Sequence, residues 1–374
     1  MILVRVQMTM LAILAVGCGV SNRARQPEGA AVIINPEISC ERCSIAIETV
    51  LTIDGSLLNG PVTAIARDSA GSFFLRDGGD GLLKVYNGEG QFLRQIGRRG
   101  GGPGEYERVR NILVAPDGTI EVLDQALARR SRFTAAGEFL GSTPFTAVGG
   151  NTGVLGMSAV LLADRRIVVN ALAATQTDTG AVLQVVDRNG ETTPLGESSP
   201  IEPMMWWRQE RLLWPRPEGG LLVAQPYRFS IDVYAADLRK GWSMSRATEW
   251  TPLQDPEEEP SDGMYNRPPT PFLRAIWEEP IGSLWLLMFV PSKSWAAGPA
   301  QGELGARERN QAAERGPRYD QIIEVVDLEH RQVLARYSGS FAMGRPVGGG
   351  YFLSYVEDSV GGRSGIVSRI QLKR

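Results

Sequence analysis

The stretch GRRGGGPGEYERVRNILVAPDGTIEVLD, which runs from Gly97 to Asp124, decides the fold. A basic, glycine-rich segment stands directly before two apolar strands that are joined by a Pro-Asp-Gly turn. A phosphate-binding P-loop needs Gly-Lys-Ser/Thr at the start of a helix, and residues 97–108 contain no Lys, Ser or Thr. Because the following residues alternate as a strand does, we interpret the glycines as a connection between repeated units.

The strand–turn–strand pattern recurs six times along the chain. The copies, each with a turn rich in Asp, Gly or Pro, lie at 65–78, 113–125, 161–171, 214–226, 277–289 and 344–356. A third strand and another turn follow each of the first five copies, so the unit is a four-stranded antiparallel meander. The turn residues Asp68, Asp117 and Asp164 recur at intervals of 49 and 47 residues, which is the size of one propeller blade.

The sixth unit ends at Arg374 after only three strands. The segment SIAIETVLTI, residues 44–53, has the pattern of a strand and is available to complete that unit. Pairing the first strand with the last would close a ring and remove its exposed edges. We therefore predict an all-β fold, a six-bladed β-propeller over residues 44–374, with four-stranded antiparallel blades and the N-terminal strand in the last blade.

The segment from Gly97 to Leu140 resembles a repeat of the NHL propeller family, and in particular the six-bladed propeller lipoproteins of bacterial envelopes. The residues that match the family pattern are Gly100, Gly102, Pro103, Gly104, Glu105, Tyr106, Asp117, Gly118 and Asp124. Blade two fits best, blade one fits from Asp68 onward, and the other four keep the strand rhythm without the same letters. The resemblance implies a propeller whose relatives bind diverse partners, some being metal-dependent lyases or lactonases.

The N-terminus has the pattern of an export signal. One early Arg5 precedes an apolar run at 8–16 that is too short to span a bilayer comfortably, and Gly17-Cys18 follows. We predict a lipoprotein signal peptide at residues 1–17 and lipidation of Cys18; a cleaved secretory signal with an incidental cysteine is the alternative. Gly19 after the cysteine favours the outer membrane, so the expected location is the cell envelope, with a lipid anchor.

Residues 18–43 are predicted to form a flexible tether that contains Cys40 and Cys43. In an oxidising envelope a small disulfide between these two cysteines is the first interpretation. Free or redox-active thiols and a metal site are the alternatives. A zinc site normally needs two such pairs, and a haem site needs His where Ser44 stands.

Loop lengths indicate which face of the ring binds a partner. The insertions lie almost all in one class of loop, at 97–108, 143–156, 170–180, 198–209, 251–271 and 292–318. Long loops on a rigid scaffold commonly carry binding residues. The last insertion contains ELGARERNQAAER, a short helix that forms either a lid or a solvated decoration.

The candidate ligand-binding residues fall on this face and combine aromatic rings with arginines. They are Trp206, Trp207, Arg208, Arg98, Arg99, Tyr106 and Arg110. The alternative for the tryptophans is core packing, and for the arginines it is ordinary solvated charge. The polar residues that close the second strands are expected to cap turns; they are Asp77, Asp124, Asn170 and Gln225.

The composition narrows the classes of function. The net charge of −3 gives no basic excess, so nucleic acid is not a predicted partner. The chain has one histidine, His330, and no Gly-x-Ser-x-Gly nucleophile motif. We predict a monomeric, non-catalytic propeller without a cofactor that binds a protein, peptide or glycan in the envelope. The alternative is a metal-dependent lyase or lactonase-like hydrolase, for which Asp, Asn and Glu oxygens could hold calcium.

Overall fold

Six four-stranded meanders, arranged in a ring, make up the computed structural model of the protein. The structure describes residues 30–374, except 54–57, 145–153, 173–178, 197–198, 201–205, 246–259, 262–266, 281, 297–317, 340–343 and 358–362. The predicted all-β, six-bladed propeller is therefore confirmed.

Three strands precede the first blade: β1 (Ala30–Ile33), β2 (Asn35–Ile38) and β3 (Ser44–Ile53). Blade one consists of β4 (Val62–Arg67), β5 (Phe73–Asp77), β6 (Leu83–Tyr86) and β7 (Phe92–Ile96). The short strands β8 (Arg98–Arg99) and β9 (Glu105–Tyr106) follow. Blade two consists of β10 (Val109–Val114), β11 (Ile120–Asp124), β12 (Arg129–Phe133) and β13 (Phe139–Pro144).

Blade three contains β14 (Val154–Leu161), β15 (Ile167–Leu172), β17 (Leu183–Val186) and β18 (Thr192–Leu195), with a small ladder of β16 (Thr179–Gly180) and β19 (Ser199–Pro200) beside it. The helix α1 (Trp206–Gln209) leads to blade four: β20 (Leu212–Pro215), β21 (Leu221–Ala224), β22 (Ser230–Tyr234) and β23 (Lys240–Ser245). Blade five has β24 (Phe272–Glu278), β25 (Ser283–Pro291), β26 (Tyr319–Asp327) and β27 (Gln332–Gly339). Blade six has β28 (Arg345–Gly348), β29 (Tyr351–Glu357) and β30 (Arg363–Lys373).

The core lies between the blades. Among the described residues, six clusters of buried apolar side chains fill the spaces between neighbouring blades. Between blades one and two, for example, Phe74 and Val85 pack with Val122 and Phe133. A second strand such as β11 is buried along its whole length because a neighbouring blade covers each of its faces. This position explains the near-continuous apolar runs from which the repeats were read.

The ring closes as the sequence predicts. β3 pairs antiparallel with β30, in a register that runs from Ser44 opposite Lys373 to Ile53 opposite Gly365. The strand order in blade six is β28-β29-β30-β3, so the first long strand is the outer strand of the last blade. This pairing joins the two ends of the propeller and covers the free edge of β30.

The chain before β3 is structured, contrary to the predicted tether. β1 pairs in parallel with β23 of blade four, and β2 pairs in parallel with β27 of blade five. Val32 and Ile34 are 2% and 1% exposed, and both belong to the core cluster of these two blades. The prediction of a flexible tether was therefore wrong for residues 30–38. We call β1 and β2 together with the residues between them, 30–38, the strap. A disulfide joins Cys40 and Cys43 between the strap and β3.

The glycine-rich stretch connects blades one and two, as interpreted from the sequence. This connection contains regular structure of its own, because β8 and β9 pair in parallel within it. Gly97 has a φ of +60°, and a Cβ there would lie 2.5 Å from the carbonyl oxygen of Gly104 and 2.8 Å from the ring of Tyr106. Only glycine fits this combination of left-handed backbone and close approach. The glycines therefore allow the backbone of this connection to pack closely on itself, and we do not interpret them as a phosphate-binding loop.

Candidate functional site

The first strand of each blade lines a central channel with a volume of about 340 Å³. These strands, β4, β10, β14, β20, β24 and β28, all begin at the end of the ring where one blade connects to the next. We call this end the loop face. The turns between first and second strands, such as 68–72, lie at the opposite face. The channel volume lies in the range of small-molecule binding sites.

Three arginines and one glutamate surround the loop-face mouth of the channel. Arg110 is the second residue of β10, Arg274 is the third residue of β24, and Arg345 is the first residue of β28. Glu210 lies two residues before β20. All four side chains line the channel and are half-buried. Burial lowers the pKa of Arg345, and the positive charges of Arg274 and Arg110 lower it further. The arginines are therefore close enough to repel one another.

Among the described residues that line this mouth, Glu210 is the one carboxylate beside three cations. Burial raises the pKa of Glu210, while the charges of Arg274 and Arg110 oppose that shift. Neither Arg274 nor Arg345 forms a hydrogen bond or ion pair with another described residue. The planar guanidinium group presents five N–H donors in a geometry that matches carboxylates, sulfates and phosphates. The mouth therefore has the charge and the donors to bind an anionic group.

Arg67 lines the opposite end of the channel. It is the last residue of β4, and its guanidinium carbon lies 4.3 Å from the ring centroid of Tyr351 and 5.6 Å from that of Phe73. Arg369, which does not line the channel, approaches the Tyr351 ring to 5.4 Å. Among the described residues, the Nε of Arg67 has no hydrogen-bond partner. Between the two ends the lining is mainly apolar, with Ile65, Leu113, Leu161, Trp214 and Val347, although Asn111 and Ser158 also line it.

Of the predicted ligand-binding arginines, the structure places only Arg110 in the channel. Arg98 and Arg99 form β8 in the connection between blades one and two, and both are exposed. The Nε of Arg98 donates to Glu105, at 2.6 Å. Arg208 is partly buried in the last turn of α1. The basic cluster proposed from the sequence therefore does not assemble into one site.

Tyr106 is a structural residue and not a surface contact for a ligand. Its side chain is fully buried between blades one and two. The hydroxyl donates to the carbonyl oxygen of Ile96, at 2.8 Å, and accepts from the backbone N–H of Leu83, at 2.9 Å. Burial raises the pKa of Tyr106 to about 12. The match of this residue to the family pattern thus reflects the joining of two blades.

We expect Tyr106→Phe to lower the free energy of unfolding by about 1–3 kcal/mol, because it removes both hydrogen bonds of a buried hydroxyl. The folded-state pKa of Tyr106 lies above its ordinary value of 10.0. Its stabilising effect is therefore complete below that ordinary value and is lost as the pH rises towards the folded-state pKa. Urea denaturation of both proteins at about pH 8 and about pH 11 measures this, since only the wild type has the group that ionises. A gap between the two proteins that stays constant with pH would contradict the assignment.

The predicted aromatic anchors are placed differently from expectation. Trp207 is only 6% exposed, so it packs in the interior and does not offer its ring to a partner. The side chain of Trp206 lies outside the part of the chain that the structure describes, and so does Cys18. The same holds for the 292–318 insertion over residues 297–317.

The sequence reasoning missed Arg67, Glu210, Arg274 and Arg345. Arg67, Arg274 and Arg345 are each the only charged residue in the part of β4, β24 or β28 that lines the channel. An alignment of the first strands of the repeats would have shown arginine near the start of three of them, at 110, 274 and 345. The arginines that were selected instead stood beside the conspicuous glycine stretch.

Three of the four polar residues that close the second strands hold the connections in place with their side chains, as expected. The carboxylate of Asp77 accepts the backbone N–H of Asn59, at 2.7 Å, and that of Asp124 accepts the N–H of Glu107, at 2.6 Å. The side chain of Asn170 bonds the backbone immediately before β20. These contacts fix the backbone from which the channel residues project.

Among the described residues, no group of three or more His, Cys, Asp and Glu side chains is arranged to hold a metal ion. No helix in the same part of the chain is long and apolar enough to cross a membrane.

Comparison with known proteins supports the fold. Residues 56–148 match the family DUF5128, which is described as a 6-bladed beta-propeller. Among curated proteins, no sequence matches the chain. The solved structure of a DUF4221 family member from Bacteroides vulgatus is similar, with a TM-score of 0.63 and 11% identity, over 90% of this chain and 100% of that one.

A second solved structure is that of a protein from Bacteroides fragilis described as a candidate exported protein. It has a TM-score of 0.54 and 14% identity, over 92% of this chain and 100% of that one. At these identities the similarity concerns the fold and carries no residue roles. Topology, sequence match and structural similarity agree that the chain is a six-bladed β-propeller.

Proposed function

We propose that this propeller is a non-catalytic binding protein that holds an acidic group of a protein, peptide or glycan at the loop-face mouth of its channel. The observation that carries the proposal is the convergence of Arg110, Arg274 and Arg345 on one mouth, where Glu210 is the one carboxylate among the described lining residues. Like charges that repel one another in a partly buried site are costly unless an anion is bound there. An arriving acidic group would relieve that repulsion and accept charge-assisted hydrogen bonds.

The scaffold suits recognition. The three arginines stand on strands of three different blades, and strands hold side chains more rigidly than loops do. The whole protein carries a net charge of −3, so the positive mouth is a local feature and not part of a general basic surface. A cleft lined by one sign of charge concentrates ligands of the opposite sign.

We propose that this binding takes place in the cell envelope. The support is the signal-like N-terminus with Cys18 and the candidate export of the Bacteroides fragilis neighbour. A lipid on Cys18 would attach the propeller, as a monomer, beside blade four, where β1 begins. Lipidation and the outer membrane stay predictions.

No observation favours the metal-dependent alternative. The one histidine of the chain, His330, is exposed and lies in the turn before β27, at the face opposite the charged mouth. The Nδ1 of His330 pairs with the carboxylate of Asp327, at 2.9 Å. Among the described residues, no group of three or more His, Cys, Asp and Glu side chains supports a metal at the channel.

Titration calorimetry with a tetraglutamate peptide at low salt tests the proposal, with tetraglutamine as the neutral control peptide. We expect the double variant Arg274→Gln/Arg345→Gln to bind tetraglutamate at least about tenfold more weakly than the wild type, a loss of about 1.4 kcal/mol. Added salt should weaken wild-type binding as well.

A matched variant separates a site from general charge. Arg188→Gln/Arg239→Gln removes the same charge from exposed residues in turns at the opposite face. It should bind tetraglutamate as the wild type does. Equal losses in the two double variants, or no binding by the wild type, would overturn the proposal.

A further inference from the structure

The channel is positive at both ends and mainly apolar between them. Among the described residues, its charged lining consists of Arg67 at one end and of Arg110, Glu210, Arg274 and Arg345 at the other. A site for a single anion would need only the loop-face mouth. The second unbalanced cation, at the far end of the same cavity, is unexplained by the proposed function.

Aromatic rings hold the guanidinium group of Arg67 in place, and no described carboxylate neutralises its charge. Its guanidinium lies against Tyr351 and Phe73, and no described acidic side chain pairs with it. Stacking on aromatic rings fixes the plane of a guanidinium while its edge N–H groups stay available to an acceptor. Because Arg67 also lines the channel, these donors can serve a ligand inside it.

The spacing of the two ends sets the length of the ligand. Thr63 lines the channel near the start of β4, and Arg67 ends that strand four residues later. At roughly 3.3 Å per residue in a strand, this separation is about 13 Å. The intervening wall offers apolar contacts from Ile65, Leu113 and Trp214. A cavity of about 340 Å³ admits a slender molecule of that length but not a bulky one.

Resting on the proposed function, we infer that the channel binds an elongated ligand with an acidic group at each end and an apolar body between them. One acidic group lies among Arg110, Arg274 and Arg345, and the other reaches Arg67. The ligand class is a linear dianion, for which α,ω-dicarboxylates are the simplest representatives. The apolar body gains from leaving water, and each terminal carboxylate meets a guanidinium group.

Calorimetry with a series of dicarboxylates tests the length requirement: succinate, suberate, sebacate and dodecanedioate, with decanoate as the monoanion. We expect affinity to rise at least about tenfold from succinate to sebacate or dodecanedioate, and sebacate to bind more tightly than decanoate. Arg67→Gln should reduce the affinity for sebacate to that for decanoate. Arg369→Gln is the matched control, because it removes the other arginine on Tyr351, and Arg369 does not itself line the channel.

The outcomes separate the two proposals. Decanoate binding that depends on Arg274 and Arg345, with sebacate no tighter and Arg67→Gln without effect, overturns the dianion and leaves the anionic mouth intact. Sebacate binding that is unchanged in Arg274→Gln/Arg345→Gln overturns both. Equal effects of Arg67→Gln and Arg369→Gln would place the contribution of Arg67 in the packing of Tyr351 and also overturn the dianion.

Discussion

Arg130→Met should destabilise the protein by about 3–5 kcal/mol, which is the usual cost of removing one partner from a buried ion pair. The side chains of Arg130 and Glu121 are only 4% and 1% exposed. The Nε and Nη2 atoms of Arg130 donate to the two carboxylate oxygens of Glu121, at 2.7 Å each. Arg130 also donates to the carbonyl oxygen of Arg165 in blade three, at 3.3 Å. Methionine fills much of the volume and leaves the buried carboxylate of Glu121 with only the longer contact to the Nη1 of Arg165, at 3.9 Å, among the described residues.

Denaturant unfolding measures the loss, and Arg132→Met is the control because Arg132 is exposed on the same strand. Glu121→Leu/Arg130→Met should be more stable than Arg130→Met alone, because no charge is then left buried. If Arg130→Met and Arg132→Met unfold at the same denaturant concentration, the pair does not hold blades two and three together.

Buried carboxylate–arginine pairs recur elsewhere in the ring. Glu278 accepts two hydrogen bonds from Arg216, at 2.7 and 3.0 Å, and so joins blades five and four. Within blade five, the Nε of Arg336 donates to Glu324 at 2.6 Å. Such pairs seldom stabilise more than apolar packing would. The pair of Glu278 and Arg216 joins two blades, so a misaligned blade would leave a charge unpaired there.

The blades were predictable from the sequence because each is built from neighbours in the chain. Turns such as Pro116-Asp117-Gly118 mark where the strands end, and the apolar strands beside them show what is buried. Ring closure was predictable because the sixth repeat lacked one strand. Residues 44–53 were the one long strand pattern that no blade had used. In both cases the evidence lay in the pattern of the chain itself.

The strap could not be found in the same way. β1 and β2 have four residues each, too few to show a period, and Pro36 in β2 argues against a strand. Their partners are distant in the sequence, since Ala30 lies opposite Trp242. Parallel addition to an outer edge requires no turn signal. The composition of residues 19–37 therefore suggested a tether, and only tertiary pairing revealed the strands.

The channel site was only partly predictable for a related reason. Arg110 was selected, but for its position beside a glycine-rich connection and not for its place in an inner strand. Whether Arg274 and Arg345 meet it depends on the register of three blades that are distant in the chain. Trp207 shows the converse, because an aromatic residue on a predicted loop face is as easily a buried one. Residue types near a face are thus weaker evidence than equivalent positions in repeated strands.

Val32→Asp should release the strap and destabilise the fold by about 3 kcal/mol or more, because it places an unpaired charge in the core and removes a buried apolar side chain. Val32 is 2% exposed and pairs with Met244, which is fully buried in the same cluster. The adjacent Ile33 is 76% exposed, so Ile33→Asp adds the same charge on the outward face of β1. The alternation of a strand makes this pair of variants a direct test of burial.

Hydrogen exchange and urea unfolding of both variants provide the measurement. In Val32→Asp, residues 30–38 and the amides of β23 should exchange faster, since the strap no longer covers that edge, and the unfolding midpoint should fall. The bared edge of β23 should also promote self-association, which light scattering detects, because an unpaired strand is a template for another chain. Ile33→Asp should leave all three properties close to those of the wild type. Matching behaviour of the two variants would mean that residues 30–38 are a tether after all, since a chain without a buried face responds to charge equally at both positions.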